Sequence, residues 1–259
     1  MHPTILDHPT ITAYGLMLLL GLIAAWALAR RNARLTAVDV SHLDLLAPLL
    51  VAAGLVGAVL FGFLTDALAL GDPVHGRVLY GALIAATLTG IIYALVARIP
   101  LGILGDIFAA PLALGVAAGR LGCFLAGCCW GKTCAPDFPM AVRFPPGSFA
   151  HRAHVTSGLI PWWSPHSLPV HPTQLYEAAA MIVLCVLLLA SRRLRHVPGE
   201  LFLTFGLAYA AIRFALEFVR ADNPPIVATL TLSQLVCIPI ALLAVATWFI
   251  RRRMFRPTV

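Results

Sequence analysis

Charge is what this sequence has least of. Its 259 residues carry 18 basic and 11 acidic side chains, 11% of the chain, against roughly 25% in soluble domains. A soluble fold of this length needs a charged surface, and these few groups, gathered in short runs, do not cover one. Lysine is all but missing, with Lys132 alone beside the arginines. Low-complexity tracts and internal repeats are absent, and a chain that is 60% hydrophobic is neither disordered nor a small disulfide scaffold. The net charge of +7 suggests a nucleic-acid partner at first sight. The basic residues instead follow apolar runs, where they act as membrane anchors, so no nucleic acid is expected.

Apolar runs long enough to cross ~30 Å of hydrocarbon at ~1.5 Å per helical residue lie near residues 12–29, 45–64, 78–97, 101–119, 175–190, 200–219 and 229–250. The expected fold is all-α: one polytopic transmembrane domain over residues 1–259 with about seven helices, six and a re-entrant segment being the competing count. Met1 to Thr12 lacks a basic n-region, and Arg30, Arg31 and Arg34 follow the first run without a small-residue cleavage site, which reads as a retained span. With the N-terminus outside, the inner connections hold Arg30, Arg31, Arg34, Arg98, Arg192, Arg193, Arg195, Arg251, Arg252, Arg253 and Arg256. The outer side keeps Arg77, Arg120, Lys132, Arg143, Arg152, Arg213 and Arg220, so the positive-inside rule favours N-out, C-in. Between the fourth and fifth runs, residues 123–174 break the helical pattern with repeated prolines, the histidines His151, His154, His166 and His171, and the pair Trp162–Trp163. This is expected to be a long external loop, functional or poorly ordered, with the tryptophans at headgroup level.

Ionisable groups inside spans are costly and by default mark function. The candidates are Asp106, Arg120, Glu177, Arg213 and Glu217. Arg213 and Glu217 stand four apart on one helical face, so an internal pair that neutralises itself is one reading and a functional pair the other. Gly119-Arg120-Leu121-Gly122 closes the fourth run, and two glycines beside a guanidinium fork suit a phosphate. A snorkelling arginine at a glycine-broken helix end is the plainer alternative. His171-Pro172-Thr173-Gln174-Leu175-Tyr176-Glu177 opens the fifth run with Pro172 in a first-turn position, where a helix N-terminus favours an anion. Capping is the preferred explanation of Thr173, with Tyr176 as an interfacial anchor.

Four of six cysteines, Cys123, Cys128, Cys129 and Cys134, fall within twelve residues, while Cys185 and Cys237 lie alone in apolar runs and read as helix packing. Zinc or iron–sulfur ligation, disulfides and packing thiols all remain open for the four. Adjacent Cys128 and Cys129 do not easily face one tetrahedral ion and the familiar zinc spacing of two CxxC-like pairs is absent, so no metal is expected and disulfides on an oxidising outer face rank higher.

Taken together and in order, these motifs resemble the prolipoprotein diacylglyceryl transferase family over essentially the whole chain. Tyr14-Gly15-Leu16-Met17 is similar to the family's YGLM element, and Gly119 through Gly131 to its GRxGNFxNGExxG signature. HPTQLYE at His171–Glu177 is close to HPSQLYE, Tyr209 to Arg220 resembles YxxxRFxxEFxR, and Ser233-Gln234-Leu235 is like the GQ element. The resemblance implies a multi-pass enzyme of the bacterial inner membrane that moves the diacylglyceryl group of phosphatidylglycerol to the lipobox cysteine thiol of a prolipoprotein signal peptide. A thioether forms, glycerol-1-phosphate leaves, and no metal or organic cofactor is implied. Arg120 and Arg213 match the arginines the family uses at its lipid headgroup. Tyr14, Gln174, Tyr176 and Tyr209 would line that headgroup site with Glu177, Glu217 and Arg220, Tyr209 and Glu217 orienting Arg213.

The sequence departs from the family at polar positions of that site. Where the family has a histidine before a Gly-Gly pair, a candidate base for the thiol, this chain has Tyr80 before Gly81-Ala82. A phenol of pKa ~10 is a poor base unless nearby arginines depress it. The two signature asparagines are replaced by Cys123 and Ala126, and the glutamate by Cys128. Two readings follow: a working transferase in which Tyr80 or His171 acts as base, with Cys123 and Cys128 beside the headgroup; or a diverged chain that binds an anionic lipid and turns its cysteines to thiol, disulfide, metal or thioester chemistry, or to no catalysis.

Overall fold

A computed structural model describes residues 12–67, 75–223 and 225–254. Residues 1–11 and Arg256 lie outside them, as does the side chain of Arg77. Eight helices run in chain order: α1 (Ala13–Ala33), α2 (Val40–Ala67), α3 (His75–Val96), α4 (Leu101–Ala126), the short α5 (Phe149–Thr156), α6 (Thr173–Ser191), α7 (Glu200–Glu217) and α8 (Leu232–Met254). A small hairpin of β1 (Pro225–Val227) and β2 (Leu230–Thr231) precedes α8. Six helices, all but α5 and α7, are long and apolar enough to cross a membrane. The charged α7 carries Glu200, Arg213 and Glu217.

The exposed faces of these helices are apolar. Leu55, Leu60 and Phe63 on α2 are 66%, 66% and 70% exposed, which water would penalise at about 25 cal/mol per Å² and lipid would not. Prolines inside α2 (Pro48), α4 (Pro111) and α8 (Pro239) leave the helices continuous, as membrane-spanning helices tolerate.

The chain forms two compact units, residues 26–108 and the remainder. In the first, α2 and α3 meet backbone to backbone at Gly57 and Gly81, where a Cβ on either would stand 2.5 Å from the other's carbonyl oxygen. Its core gathers Ala29, Leu43, Leu46, Ala94 and Ile107, and Arg30 pairs with Asp44 at 3.1 Å. Buried Asp106 belongs to this unit, as does half-buried Tyr80 on α3.

In the second unit α7 packs against both α6 and α8. The segment between α4 and α6 is built, not loose. Phe144, Ala150 and Val170 form a core there with Phe124, Trp130 and Val142 around it. Val170 bridges to both Thr133 and Val142, and Gly131 pairs with Arg220 beyond α7. Ser148 caps α5 by accepting from the His151 amide. Buried His151 reaches the Ser164 carbonyl, and His154 Nδ1 accepts the Leu168 N–H at 3.2 Å. Trp162 and Trp163 are 76% and 68% exposed, free to meet an interface.

The Gly119–Gly122 stretch does not end α4. The helix continues to Ala126 and stops at Gly127, whose φ of +70° places it where a side chain is strained. The Gly127 amide donates to the Phe124 carbonyl and the Cys128 amide to the Cys123 carbonyl, the paired bonds of a Schellman turn. Glycines flanking Arg120 cost some helix propensity, which neighbouring helices override.

Candidate active site

Arg120 sits in the last two turns of α4, and its Nε lies 2.9 Å from Glu177 Oε2 on α6. Glu177 is 2% and Arg120 16% exposed at the side chain, so the pair is largely withdrawn from solvent. On α7, Arg213 NH1 lies 2.6 Å from Glu217 Oε2, and its NH2 donates to Ser233 Oγ on α8 at 3.0 Å. The four-residue spacing thus makes the pair expected of it. Glu217 serves more than Arg213: Asn223 Nδ2 donates to its Oε1 at 2.5 Å, and Arg220 Nε stands 3.9 Å away. Arg220 itself is held by Asp222 through two bonds of 3.0 and 2.6 Å. Burial pushes the Asp222 carboxyl up against the pull of Arg220.

Tyr209 lies where Glu177, Arg120 and Arg213 all act on it, which joins the α4–α6 pair to the α7 pair. Its ring stacks on Phe205. Two guanidiniums, each tethered by one carboxylate, retain further N–H donors for an oxyanion. Glu177 Oε1 and Gln174 Oε1 are buried without a hydrogen-bond partner.

Gln174 and Thr173 act on the chain after α4. Gln174 Nε2 donates to the Cys128 carbonyl at 2.6 Å and Thr173 Oγ1 to the Cys129 carbonyl at 2.8 Å. This corrects the expected capping role of Thr173: the N-cap is Pro172, whose side chain has no acceptor to offer, and Thr173 is the first helical residue, its hydroxyl donating to the Cys129 carbonyl. Gln174 likewise spends its amide on the backbone.

The thiols converge. Cys123, Cys128 and Cys129 place their sulfurs within 4.8 Å of one another. The expectation that adjacent cysteines diverge is overturned by backbone geometry. Cys123 and Cys128 are the first and sixth residues of the Schellman turn, which stacks them, and Cys129 takes a φ of +60° that swings the third sulfur round. Left-handed backbone at a residue with a Cβ costs about 1–3 kcal/mol and is held only by surrounding structure. All six cysteines are free thiols, and Cys134 stands outside the cluster. The neighbouring Cys123 and Cys128 thiols, aided by Arg220 and Arg120, hold the Cys129 thiol below its ordinary range, while the same thiol contacts and burial push up Cys128, whose Sγ donates to the Cys123 carbonyl at 3.6 Å. Tyr14 lies against Gly122, with the three thiols and Arg120 acting on it.

Two further residues are expected at the site from sequence, His171 and Tyr80. His171 Nδ1 meets the Tyr176 hydroxyl at 3.3 Å and its ring lies edge-on to Phe138, while its carbonyl accepts the Gly131 amide. Tyr80 belongs to the other compact unit. Asp222, Asn223 and Ser233, which sequence reasoning gave no role, hold Arg220, Glu217 and Arg213. Their signal in the sequence was proximity: Asp222 and Asn223 lie two and three residues after Arg220, and Ser233 precedes Gln234.

The sequence profile described as prolipoprotein diacylglyceryl transferase matches residues 3–250. The chain belongs to the prolipoprotein diacylglyceryl transferase family. Proteins named phosphatidylglycerol–prolipoprotein diacylglyceryl transferase align over most of both chains. That of Methylococcus capsulatus is 33% identical, covering 90% of this chain and 87% of its own. That of Clostridium tetani is 28% identical with 87% of each covered, and that of Salmonella choleraesuis 32% with 93% and 89% covered. The two arginine–carboxylate pairs of this family member fall inside the matched region. The relatives' names favour the transferase reading over the lipid-binding alternative.

Proposed function

We infer that this chain transfers the diacylglyceryl group of phosphatidylglycerol to the lipobox cysteine thiol in the signal peptide of a prolipoprotein. The acceptor sulfur displaces glycerol-1-phosphate from the glyceryl carbon that carried the phosphate, so the C–S bond forms as the C–O bond breaks. The carrying observation is the pair of arginines largely withdrawn from solvent, Arg120 on α4 and Arg213 on α7, each fixed by one carboxylate and each with donors to spare. Such donors stabilise a departing phosphate most where water is excluded. Arg220, Tyr14, Tyr176, Tyr209 and Gln174 surround the headgroup, with Glu177 and Glu217 orienting the guanidiniums and Cys123 and Cys128 close by. The thiol proton needs an acceptor, and Tyr80 and His171 are this chain's candidates for it.

The setting is the bacterial inner membrane, with α7 added to the other six spans to make seven crossings, the N-terminus outside and the C-terminus inside. The whole chain is then one transmembrane domain whose loop of about residues 123–174 is external, its tryptophans at the headgroups. Arg192, Arg193, Arg195 and the run Arg251–Arg253 become inner anchors.

The test is transfer of labelled diacylglyceryl from phosphatidylglycerol vesicles to a lipobox peptide by the purified full chain in detergent. Transfer that depends on Arg213 and on the peptide's cysteine is the expected result. Binding of phosphatidylglycerol with no transfer under any reducing condition would overturn the reading.

A further inference from the structure

The phosphate clamp leaves the three thiols without a task, yet the backbone is shaped to bring them together. Cys123 and Cys128 close a Schellman turn, Cys129 is strained at a φ of +60°, and Thr173 and Gln174 pin the carbonyls of the last two. An observed strained residue in a held position points to function. Packing alone asks for no such convergence.

Zinc–sulfur bonds of ~2.3 Å set ligand sulfurs about 4 Å apart, and a group already within 4.8 Å closes onto an ion with small side-chain movement. No histidine or carboxylate joins the cluster among the described residues, so the donor set is three soft sulfurs. Three thiolates around a divalent ion carry one net negative charge. Arg120 and Arg220 lie within electrostatic reach of Cys129, which offsets that charge. Three protein ligands and one open position are the pattern of a catalytic ion; a structural one closes its fourth.

We propose that Cys123, Cys128 and Cys129 bind a zinc-class divalent ion whose open position takes the acceptor cysteine as its thiolate. This rests on the transferase reading and gives it a way to ionise the acceptor that does not call on Tyr80 or His171 as base. A metal-bound thiol is deprotonated outright. Coordination forms the metal–sulfur bond and releases the thiol proton to water. A sulfur lone pair then attacks the glyceryl carbon, and the electron pair of the breaking C–O bond leaves on glycerol-1-phosphate beside Arg120. The product thioether is neutral and a weak ligand, so it departs and the site is restored.

The experiment uses the reduced full-length protein in detergent, stripped with a chelator and titrated with cobalt(II) as a spectroscopic probe. One equivalent should bind with thiolate-to-cobalt charge-transfer bands that weaken in Cys123→Ser, Cys128→Ser and Cys129→Ser. A lipobox peptide should strengthen the bands, and its Cys→Ser counterpart should not. Transfer should vanish on stripping and return with zinc. Absence of thiolate bands in protein whose thiols titrate as free overturns the site, and a spectrum indifferent to the peptide overturns its role. Undiminished transfer by stripped protein overturns the metal while the transferase reading stands. A peptide-responsive spectrum in zinc-competent protein that never transfers keeps the thiol-binding site and overturns the transferase reading instead.

Discussion

Arg120 is where stability and chemistry can be separated by experiment. Its Nε lies 2.9 Å from a Glu177 carboxylate that is 2% exposed. Removing one partner of a buried pair strands the other charge, at about 3–5 kcal/mol. The 16% exposure of the arginine side chain sets the expectation at the low end, roughly 3 kcal/mol. Arg120→Met should therefore lower the melting temperature. Replacing both partners by apolar residues of similar volume is often neutral, so Arg120→Met with Glu177→Leu should recover most of that loss. Transfer should behave differently. A preorganised donor to a developing oxyanion contributes about 10²–10³ in kcat, and neither variant possesses it. Melting and phosphatidylglycerol-to-peptide transfer measured on wild type, single and double variants form the assay. Transfer that returns with stability in the double variant would refute the phosphate clamp and leave Arg120 a packing element.

Arg213→Ala should reduce transfer by about 10²–10³, and Arg213→Lys should recover only part, because an ammonium cannot reproduce a fork that spans Glu217 and Ser233; equal rates for Lys and Arg would count against directed donation. Gly127→Ala forces a Cβ into φ +70° and to within 3.0 Å of the Ser148 Cβ, which should cost about 1–2 kcal/mol in a melt. An unshifted melt would argue against the Schellman turn. Burial and nearby His151 hold His154 below its ordinary 6.5, so the folded loop binds fewer protons than the unfolded one there. Its stability is present at neutral pH and falls on acidification through the folded pKa, as the Leu168 N–H loses its acceptor. Amide protection over residues 144–170, taken against the intrinsic exchange rate at each pH, should fall between about pH 7 and pH 5, and His154→Phe should remove the dependence; protection flat with pH in the wild type would contradict it.

The helices were legible because hydrocarbon imposes a local rule: every span must be apolar along its length and satisfy its own backbone, so α1–α4, α6 and α8 announce themselves residue by residue. The Arg213–Glu217 pair was legible for the same reason, since helical spacing alone sets it. Five family motifs in order carried the family. Other features depended on groups distant in sequence. Nothing near Arg120 names Glu177 as its partner, because that choice belongs to how α4 meets α6. The glycines around Arg120 suggested a helix end, and the end came later, at Gly127, where two turn hydrogen bonds could be made. Adjacent cysteines were expected to diverge, yet one left-handed residue and two side-chain bonds from α6 turn them to a common point. Spans follow from the solvent each residue must face. Charge partners and converging thiols follow from which helices meet, and packing across the fold settles that.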